Sequence, residues 1–409
     1  MAKPEFDGRT QVRFDPLRVA RTPAYVLDLG LLRKNLALLA DVRERAGCRI
    51  LLALKAFAMF RVFPIIAAAL DGVCASSPHE ARLGREAFAA PGVHKEVHTF
   101  AAGYSEADVD DLAATTDHLI FNSLAQLTRL GPRARERAAA LGRDLTLGLR
   151  LNPEHSEGAT PLYDPCAPGS RLGVRARDLA AFPPERLAGL GVTALHWHNL
   201  CEQDADCLER TIAAVERGFG PWLAAARTVN FGGGHHITRP GYDVARLVRL
   251  VRDFAARWDA QVYLEPGEAV VLNAGYLVTT VLDVVQADVP IAIMDTAVPC
   301  HMPDVLEMPY KPVVVGAGDP GEKPVTVRLA GPSCLAGDVA GDYAFDRAPV
   351  PGERLVFTDM ALYTMVKNTT FNGVRLPDIA LWEPDSDAPG GRFELVRRFG
   401  YADFKGRLS

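Results

Sequence analysis

The sequence predicts an α/β fold in which a (β/α)8 barrel of the TIM type is followed by a mostly antiparallel β domain. Between residues 24 and 275, about eight short runs rich in Val, Ile and Leu alternate with helical segments, as in a parallel sheet buried on both faces. Roughly 250 residues is also the usual size of a closed eight-unit barrel. After residue 276, β-rich runs follow one another closely between Pro and Gly, which is typical of antiparallel strands.

The barrel is assigned to residues 29–275, where apolar runs are followed by segments of helical spacing. The predicted barrel strands are 49–55, 72–76, 96–100, 118–121, 145–151, 191–196, 228–231 and 261–265. An open doubly wound sheet is the alternative fold. It is disfavoured because the tight-turn glycine fingerprint of dinucleotide-binding sheets is missing after the first strand.

The β domain is assigned to residues 276–409, with predicted strands at 276–285, 291–295, 324–329 and 354–357. Residues 1–28 form an N-terminal segment with one further strand at 24–28. This segment is expected to join the β domain rather than the barrel.

Composition and charge exclude several classes of protein. The net charge is −5 and the basic residues are scattered, whereas nucleic-acid binding needs a concentrated basic face. No apolar run is long enough for a membrane-spanning helix. The seven cysteines are widely spread in a large chain, which favours free thiols in a reducing cytosol over disulfides. We therefore expect a cytoplasmic enzyme with no nucleic-acid or membrane partner.

Chemically useful side chains follow the predicted barrel strands, whose carboxyl ends form the active-site face of such a fold. Lys55 ends an apolar strand, where partial desolvation would favour the neutral amine that forms a Schiff base; an ordinary solvated lysine is the alternative. Gly232, Gly233 and Gly234 would let backbone N–H groups approach a phosphate, or would simply form a turn. Glu265, if buried, needs either a protonated pyridine nitrogen or a structural arginine as its partner.

Two pairs of histidines could suggest zinc, namely His196 with His198 and His235 with His236. No HExxH or CxxC spacing accompanies them, and a zinc site normally adds a third protein ligand. No metal site is predicted.

Two loops of the β domain also carry reactive groups. The segment from Gly331 to Asp338 places a thiol, Cys334, and a carboxylate, Asp338, in one loop. Free cysteines are more often small core residues, but packing alone rarely requires one in a Gly/Pro loop. Tyr363 follows a predicted strand and is either a core residue or a hydroxyl donor to a ligand.

The order of these signals resembles the alanine-racemase-like (fold type III) pyridoxal-phosphate decarboxylases, a family that includes the ornithine, diaminopimelate and arginine decarboxylases. The resemblance runs from about residue 22 to 378 and is nearest to the branch that acts on carboxylated polyamines. Five stretches carry it: Ala53–Ala58, Tyr163–Gly173, Asn230–Arg239, Cys300–Tyr310 and Gly331–Asp342.

The resemblance implies that pyridoxal 5'-phosphate is the cofactor. By position, Lys55 is similar to the lysine that holds it as a Schiff base, and His198 to the histidine that stacks on its ring. Glu265 matches the acid that pairs with the pyridine nitrogen. The glycines at 232–234 resemble the phosphate loop, and Cys201 lies where relatives place a phosphate-binding serine.

The remaining site residues implied by the resemblance lie mostly in the β domain. Tyr363 resembles a tyrosine that contacts the phosphate or the ring. Cys334 matches the general acid contributed by a second subunit, which implies a homodimer with shared active sites. The predicted substrate contacts are His236, Glu268, Asp304, Glu307 and Asp338.

Departures from the family pattern bear on the substrate. Diaminopimelate and ornithine enzymes commonly have arginine after Glu-Pro-Gly, where this chain has Glu268. Diaminopimelate enzymes also carry an arginine in a later loop, where this chain has Asp304 and Glu307. Acids in these places reject a second carboxylate and favour ammonium groups, each interaction being worth about 1 to 4 kcal/mol. A small carboxylated polyamine is the expected substrate.

Four other interpretations stay open. A diaminopimelate or ornithine decarboxylase is disfavoured by Glu268 and Glu307, and an amino-acid racemase would need a second base, commonly tyrosine, where Cys334 stands. A non-catalytic pyridoxal-phosphate carrier would have no β domain with a cysteine loop. A metal hydrolase using the paired histidines is the remaining alternative.

Overall fold

The computed structural model describes residues 9–158, 161–385 and 390–409. It divides into two compact units, one formed by Asn35–Val270 and the other by the described residues before Asn35 together with those from Val271 onward. The sequence placed these boundaries at 28/29 and 275/276. The observed first boundary lies inside the first helix, because the strand before it and the first turn of that helix are held together by Asp28.

The strands are numbered in chain order. They are β1 Ala24–Asp28, β2 Arg49–Ala53, β3 Gly72–Ala75, β4 Glu96–Phe100, β5 His118–Phe121, β6 Thr146–Asn152, β7 Val174–Arg175, β8 Val192–His196, β9 Thr228–Asn230, β10 Gln261–Leu264, β11 Gly275–Val285, β12 Ile291–Met294, β13 Val325–Ala330, β14 Val339–Phe345, β15 Arg354–Thr358, β16 Asp378–Glu383 and β17 Arg392–Arg397.

The α-helices are numbered in the same way. They are α1 Leu29–Ala46, α2 Phe63–Ala69, α3 Pro78–Ala87, α4 Glu106–Thr115, α5 Leu124–Ala140, α6 Ala176–Leu179, α7 Pro184–Gly189, α8 Ala205–Leu223, α9 Val244–Trp258, α10 Glu268–Val271, α11 Val298–His301, α12 Pro303–Glu307, α13 Thr364–Lys367 and α14 Tyr401–Lys405. Within the described ranges, no helix is both long and apolar enough to cross a membrane.

The unit Asn35–Val270 is a closed parallel barrel, which confirms the predicted (β/α)8 fold. Its strand order is β5-β4-β3-β2-β10-β9-β8-β6, and pairing of β5 with β6 closes the ring. The two-residue strand β7 extends β6 on the outside of this order. The strands are buried on both faces, as in β2, where four of five residues are buried, and this explains their uninterrupted apolar runs.

The second unit contains a mixed sheet of order β14-β13-β12-β11-β1-β16-β17, with β15 also pairing β11. Among the described residues the pairings are antiparallel except β1 with β16 and β12 with β13, so the predicted antiparallel β domain is confirmed. β1 pairs with β11 and β16. The N-terminal strand therefore lies in this sheet.

A cluster of three aromatic rings supports the barrel at the strands that position the site. Trp197 follows β8 and Phe231 follows β9, and their rings stack with centroids 4.5 Å apart. Phe254 of α9 meets Phe231 edge-on at 4.9 Å. All three rings are almost completely buried, and such aromatic pairs add stability beyond the area they bury. They hold in place the residues next along the chain, His198 and Gly232.

The start of α1 depends on one buried carboxylate. Asp28 is 0% exposed, and its Oδ1 accepts the N–H groups of Gly30 at 2.8 Å and Leu31 at 3.0 Å. Both carboxylate oxygens also accept hydrogen bonds from the Arg13 guanidinium, at 2.7 and 2.9 Å from Nη2. Asp28 thus caps the helix and joins it to the N-terminal segment.

We expect Asp28→Ala to lower the stability of the protein by about 2 to 4 kcal/mol, because it removes a helix cap and a largely buried charged partner together. The measurement is the urea unfolding midpoint followed by circular dichroism. Asp41→Ala is the matched control, since Asp41 pairs with Arg45 on the exposed face of the same helix and should change stability by less than about 1 kcal/mol. Equal effects of the two substitutions would contradict the role given to Asp28.

Candidate active site

The carboxyl ends of the barrel strands bring together most of the residues that the sequence singled out in this unit. Lys55 lies two residues after β2, and His198 two residues after β8. The glycine loop begins two residues after β9, and Glu265 directly follows β10. Because β2, β10, β9 and β8 are neighbours in the ring, these side chains lie on one side of the barrel mouth.

Lys55 differs from expectation in its surroundings. The sequence predicted a strand ending on a partly desolvated lysine, but β2 ends at Ala53 and the Lys55 side chain is exposed. The reason is local: Leu54 to Ala56 form a turn, and the N–H of Ala56 donates to the carbonyl of Ala53 at 3.1 Å. The turn carries Lys55 out of the barrel wall, so that the amine is accessible at the mouth.

Glu265 is a charged group held within the barrel mouth. Its side chain is 12% exposed. The amide of Asn230 donates to Oε1 at 2.7 Å, and Nε2 of His196 lies 3.5 Å from Oε2. Burial opposes ionisation, but the interactions with His196, then His98 and Asn230, outweigh it and lower the pKa of Glu265 to about 2. Glu265 is therefore a carboxylate at neutral pH, with each oxygen held by a different strand.

Neutral groups provide this support. Burial lowers the pKa of His196 below its ordinary value, although Glu265 opposes that shift. The His196 ring stacks on Phe100 with centroids 5.5 Å apart. Since Asn230 has no charge, the negative charge of Glu265 is oriented but not neutralised by a fixed cation on either partner. A buried carboxylate in this condition suits a cationic ligand atom.

The glycine loop fits against its neighbours so closely that side chains would not be accommodated. A Cβ at Gly232 would lie 2.4 Å from the carbonyl oxygen of Trp197, and one at Gly234 would lie 2.0 Å from that of Leu200. Gly232 and Gly234 also have φ of +71° and +83°, which favours glycine. The loop therefore needs glycine both for its close packing and for its backbone conformation.

The hydrogen bonds of this loop engage two of its three N–H groups. The sequence predicted that backbone N–H groups here approach a phosphate, or that the glycines simply form a turn. The N–H of Gly232 donates to Oδ1 of Asn230 at 2.8 Å, and that of Gly233 donates to Nδ1 of His198 at 2.7 Å. These acceptors lie just before the loop and on the adjacent strand end, so they reach the donors first. Assignment of the loop to a phosphate stays a proposal.

His198 is half-buried at the mouth. Because its Nδ1 accepts from Gly233, the proton of the neutral ring lies on Nε2. Burial lowers the pKa of His198 well below its ordinary value, and the positive charges of Lys55 and Arg150 lower it further. His198 is thus an uncharged ring whose electrostatics are influenced by Lys55. Its stacking on a cofactor stays a prediction.

Arg150 of β6 supports the same region. It is buried, donates from Nη2 to the carbonyl of His198 at 2.8 Å, and its guanidinium lies 4.5 Å from the Phe100 ring centroid. Burial lowers its pKa to about 10, so it stays charged at neutral pH. Arg150 therefore supports the backbone of His198.

Other predicted barrel residues lie around the loop. His236 is buried, and its Nε2 lies 3.6 Å from Oε1 of Glu268. Burial lowers the pKa of His236 to about 4, so this contact is between a neutral ring and an acid. Cys201 is exposed, and its backbone nitrogen would lie 2.8 Å from a Cβ at Gly234. Their assignments to substrate and phosphate stay predictions.

The barrel residues fit pyridoxal 5'-phosphate in three respects. Glu265 is an ionised carboxylate facing donors that carry no fixed charge, which suits a protonated ring nitrogen. The Cβ-free glycine loop allows a close backbone approach. Lys55 presents an exposed primary amine, the group that condenses with an aldehyde. The N–H groups already engaged by Asn230 and His198 are the one respect in which the fit is weaker.

Cys334 of the second unit is exposed. Its backbone N–H and its Sγ each lie 3.1 Å from Oδ1 of Asn372, so the thiol proton points to that oxygen. Two exposed apolar side chains flank this pair, Leu335 and Phe371. The assignment of Cys334 as a general acid stays a prediction.

Asp304 and Glu307 are already paired within this unit. Nζ of Lys367 lies 2.5 Å from Oδ1 of Asp304 and 2.7 Å from Oε2 of Glu307. The sequence predicted that these acids hold substrate ammonium groups and did not identify Lys367. Lys367 also lies 5.8 Å from the ring centroid of Tyr363, whose φ of +33° is strained for a residue other than glycine.

Asp338 has a different environment from the one expected of a substrate contact. It is 3% exposed, its Oδ1 accepts the N–H of Val298 at 2.7 Å, and its Oδ2 accepts that of Ser333 at 3.0 Å. A Cβ at Gly331 would lie 2.2 Å from Oδ1. Both oxygens therefore organise the backbone around the Cys334 loop, and the assignment of Asp338 to substrate stays a prediction.

One group of residues in the described ranges has a geometry that could hold a metal ion, with ligand atoms of Glu96, His98 and His118 within 4.8 Å of one another. It lies at the starts of β4 and β5, the end of the barrel remote from Lys55. The two rings stack in parallel with centroids 3.9 Å apart, and Oε2 of Glu96 lies 2.9 Å from Nε2 of His98. Glu96 also pairs with Arg49. These side chains therefore already contact one another and a cation, and the expectation of no metal site stays a prediction.

The sequence did not predict three contacts of the candidate residues. These are Asn230 with Glu265, Lys367 with Asp304 and Glu307, and Asn372 with Cys334. Asn230 had a signal, since an amide two residues before a glycine loop often accepts a backbone N–H. No local sequence signal identified Lys367 or Asn372, because their partners are distant in the chain. Lys367 is 60 residues from Glu307, and Asn372 is 38 residues from Cys334.

A family model described as "Pyridoxal-dependent decarboxylase, C-terminal sheet domain" matches residues 24–361. The chain is 40% identical over 395 residues to the carboxynorspermidine/carboxyspermidine decarboxylase of Campylobacter jejuni. The matched region covers 94% of this chain and 97% of that enzyme. It is 42% identical over 389 residues to the carboxyaminopropylagmatine decarboxylase of Synechocystis, which covers 95% of each.

Solved structures give the same grouping. The structure of the Campylobacter jejuni carboxynorspermidine decarboxylase complexed with norspermidine has a TM-score of 0.84 at 39% identity, covering 95% of this chain and 100% of that one. Diaminopimelate decarboxylase from Helicobacter pylori has a TM-score of 0.76 at 17% identity, a similarity of fold alone.

The ionised Glu265 leads to a pH prediction. Its folded-state pKa of about 2 lies below the ordinary 4.5, so its charge stabilises the fold above pH 4.5 and that contribution is lost as the pH falls toward 2. We expect Glu265→Gln to lower the urea midpoint at pH 7, and the difference from wild type to shrink between pH 4.5 and 2. Glu86→Gln, on the exposed face of α3, is the control. A difference that does not change with pH would contradict the account.

Proposed function

Because the chain belongs to the pyridoxal-dependent decarboxylases, we propose that it decarboxylates a carboxylated polyamine, carboxynorspermidine or carboxyspermidine, to norspermidine or spermidine. The observation that supports this most is the 40% identity, over nearly the full length of both chains, to the Campylobacter jejuni enzyme of that name. The identity to the diaminopimelate decarboxylase of Pseudomonas fluorescens is 26% over 64% of the chain. That reaction is therefore the weaker candidate.

The cofactor of this proposal is pyridoxal 5'-phosphate, which when bound supplies an electron sink for the electron pair left behind as CO2 departs. Lys55 offers the amine that anchors it, and the exposed position of that amine leaves room for exchange with a substrate amine. Glu265 contributes a fixed negative charge that favours a protonated ring nitrogen. His198 contributes an uncharged ring held by the N–H of Gly233.

Cys334 is the proposed general acid. Its Sγ carries a proton directed to Oδ1 of Asn372, and that proton would replace the lost carboxylate on the substrate carbon. We further propose a homodimer in which each Cys334 serves the barrel of the other copy. Exposed Leu335 and Phe371 beside the thiol support this, since apolar side chains on a surface favour a protein partner. A cytoplasmic location is also proposed, supported by seven cysteines that are all free.

The polyamine specificity is proposed to come from acids. Asp304 and Glu307 bind the ammonium of Lys367, which demonstrates the kind of cation that this pair accommodates. The proposal is that a substrate ammonium shares or replaces the position of the Lys367 ammonium between these two acids. Glu268 is a third acid proposed to face the substrate, and its Oε1 lies 3.6 Å from Nε2 of His236.

A second candidate substrate is carboxyaminopropylagmatine. It is favoured by the 42% identity to the Synechocystis enzyme over 95% of each chain. This molecule has a guanidinium where the others have an ammonium. A pair of acids also suits a guanidinium, which forms two parallel hydrogen bonds, so the acid cluster does not by itself separate the two substrates.

We expect the purified protein, supplied with pyridoxal 5'-phosphate, to release CO2 from carboxynorspermidine and carboxyspermidine at comparable rates, because one methylene changes binding by only about 1 kcal/mol. Carboxyaminopropylagmatine, meso-diaminopimelate and ornithine are assayed beside them. A preference for meso-diaminopimelate or ornithine would overturn the proposal, and a preference for carboxyaminopropylagmatine would select the second candidate. Lys55→Ala is the inactive control.

The shared site predicts complementation between two inactive variants. Lys55→Ala and Cys334→Ala, co-expressed with different tags and purified as the mixed dimer, should regain about half of the wild-type turnover, because one of the two sites then contains both wild-type residues. Each variant alone should lose most of its turnover, while Cys334→Ala keeps the absorbance band of the bound cofactor. A mixed dimer with no more activity than its parents would show that Cys334 does not act across subunits.

A further inference from the structure

Asn230 connects the two features of the barrel mouth on which the proposed site depends. It is the last residue of β9 and is 4% exposed. Its Nδ2 donates to Oε1 of Glu265 at 2.7 Å, and its Oδ1 accepts the N–H of Gly232 at 2.8 Å. Both ends of one side-chain amide are therefore engaged, one by the carboxylate and the other by the glycine loop.

We infer that Asn230 is a positioning residue, whose amide sets the orientation of the Glu265 carboxylate and fixes it relative to the glycine loop. This inference rests on the proposed function, since it assigns Glu265 to the ring nitrogen of pyridoxal 5'-phosphate. Asn230 itself does not act on the substrate. It determines where a buried negative charge points and how far that charge lies from the loop.

The geometry separates this role from that of His196, the other partner of Glu265. His196 Nε2 lies 3.5 Å from Oε2, which is longer than a good hydrogen bond, whereas the bond from Asn230 is short. A hydrogen bond to a charged group is worth about 1.5 to 3 kcal/mol. The amide is therefore the stronger directional constraint on the carboxylate.

The group that faces Oε1 of Glu265 is an uncharged donor. An aspartate at residue 230 has the same shape and keeps the acceptor for Gly232, but it places an oxygen against Oε1 of Glu265. Two carboxylates in contact cannot both ionise freely, so the pair would retain a proton that wild type does not. When that proton is present, the acid O–H can donate to Glu265 as the amide does. Any defect of Asn230→Asp should therefore diminish as the pH is lowered.

The chain offers a matched control in Asn152. It is the last residue of β6, is 2% exposed, and its Oδ1 accepts the N–H of residue 154, two positions along, at 2.9 Å. Its Nδ2 donates to the carbonyl of Leu172 at 2.9 Å rather than to a carboxylate. Asn152→Asp thus reproduces the burial, the turn and the substitution, but leaves Glu265 untouched.

The test measures the affinity of the apoprotein for pyridoxal 5'-phosphate and the absorbance of the holoprotein across a pH series. We expect Asn230→Asp to weaken cofactor binding at pH 8 by about 10- to 100-fold relative to wild type, with the deficit shrinking at lower pH. The cofactor band should show one ionisation that wild type and Asn152→Asp lack. Asn230→Ala should weaken binding at every pH, because it adds no titrating group.

Turnover gives a second readout. With saturating cofactor, Asn230→Asp and Asn230→Ala should lower kcat by more than they change KM, since the side chain acts on the charge facing the cofactor ring and not on the substrate tail. If Asn230→Asp binds and titrates like wild type, or if Asn152→Asp gives the same pH-dependent deficit, the inference is overturned. If instead the cofactor effects appear but wild type releases no CO2 from any carboxylated polyamine, the proposed function fails while the role of Asn230 stands.

Discussion

A single buried negative charge, the carboxylate of Glu265, is the constraint around which the barrel mouth is arranged. Ionisation inside a protein costs free energy unless donors replace the water that is lost. Here the donors come from the two preceding parallel strands, with Asn230 at the end of β9 and His196 at the end of β8. The contacts of the carboxylate therefore join the ends of three neighbouring strands of the ring, β10, β9 and β8.

The close packing of the glycine loop follows from the same arrangement. The carbonyl of Gly232 accepts the backbone N–H of Glu265 at 2.8 Å, and the N–H of Gly232 returns to Asn230. Any side chain on the loop would collide with the backbone that makes these bonds. The aromatic cluster of Trp197, Phe231 and Phe254 packs beside the loop, with Phe254 supplied by α9. Rigid apolar packing therefore holds a small polar site in place.

The second unit handles charge differently. Asp304 and Glu307 surround an ammonium supplied by the chain itself, Lys367, whereas Glu265 has only neutral donors on its two oxygens. Asp304 and Glu307 thus form a cation site that a lysine of the chain already occupies. Glu265 is a carboxylate whose two hydrogen-bonding partners are uncharged, which suits a cationic ligand atom. Both are consistent with a reaction on a cationic substrate with a cationic cofactor ring. The acids at positions 304 and 307 can be interpreted only together with Lys367, the cation that they bind.

The sequence by itself determined the alternation of strands and helices, the barrel, the β domain and the order of the reactive residues. These follow from periodicity and from residue types that are local in the chain. The strand ends were less well determined: the predicted strand 49–55 ends at Ala53, because the turn that exposes Lys55 depends on a backbone bond and not on hydrophobicity. The resemblance gave candidate roles, but not the environment in which each residue would lie.

Only the tertiary structure decided which atoms face one another. It paired Asn230 with Glu265 across 35 residues and Lys367 with Asp304 across 63, and it turned the oxygens of Asp338 toward the backbone. Partners this far apart leave no trace in local spacing, because their contact depends on the closure of a ring of strands or on the folding of one loop against another. Periodicity specifies the elements, and the closed fold specifies the hydrogen bonds between their ends.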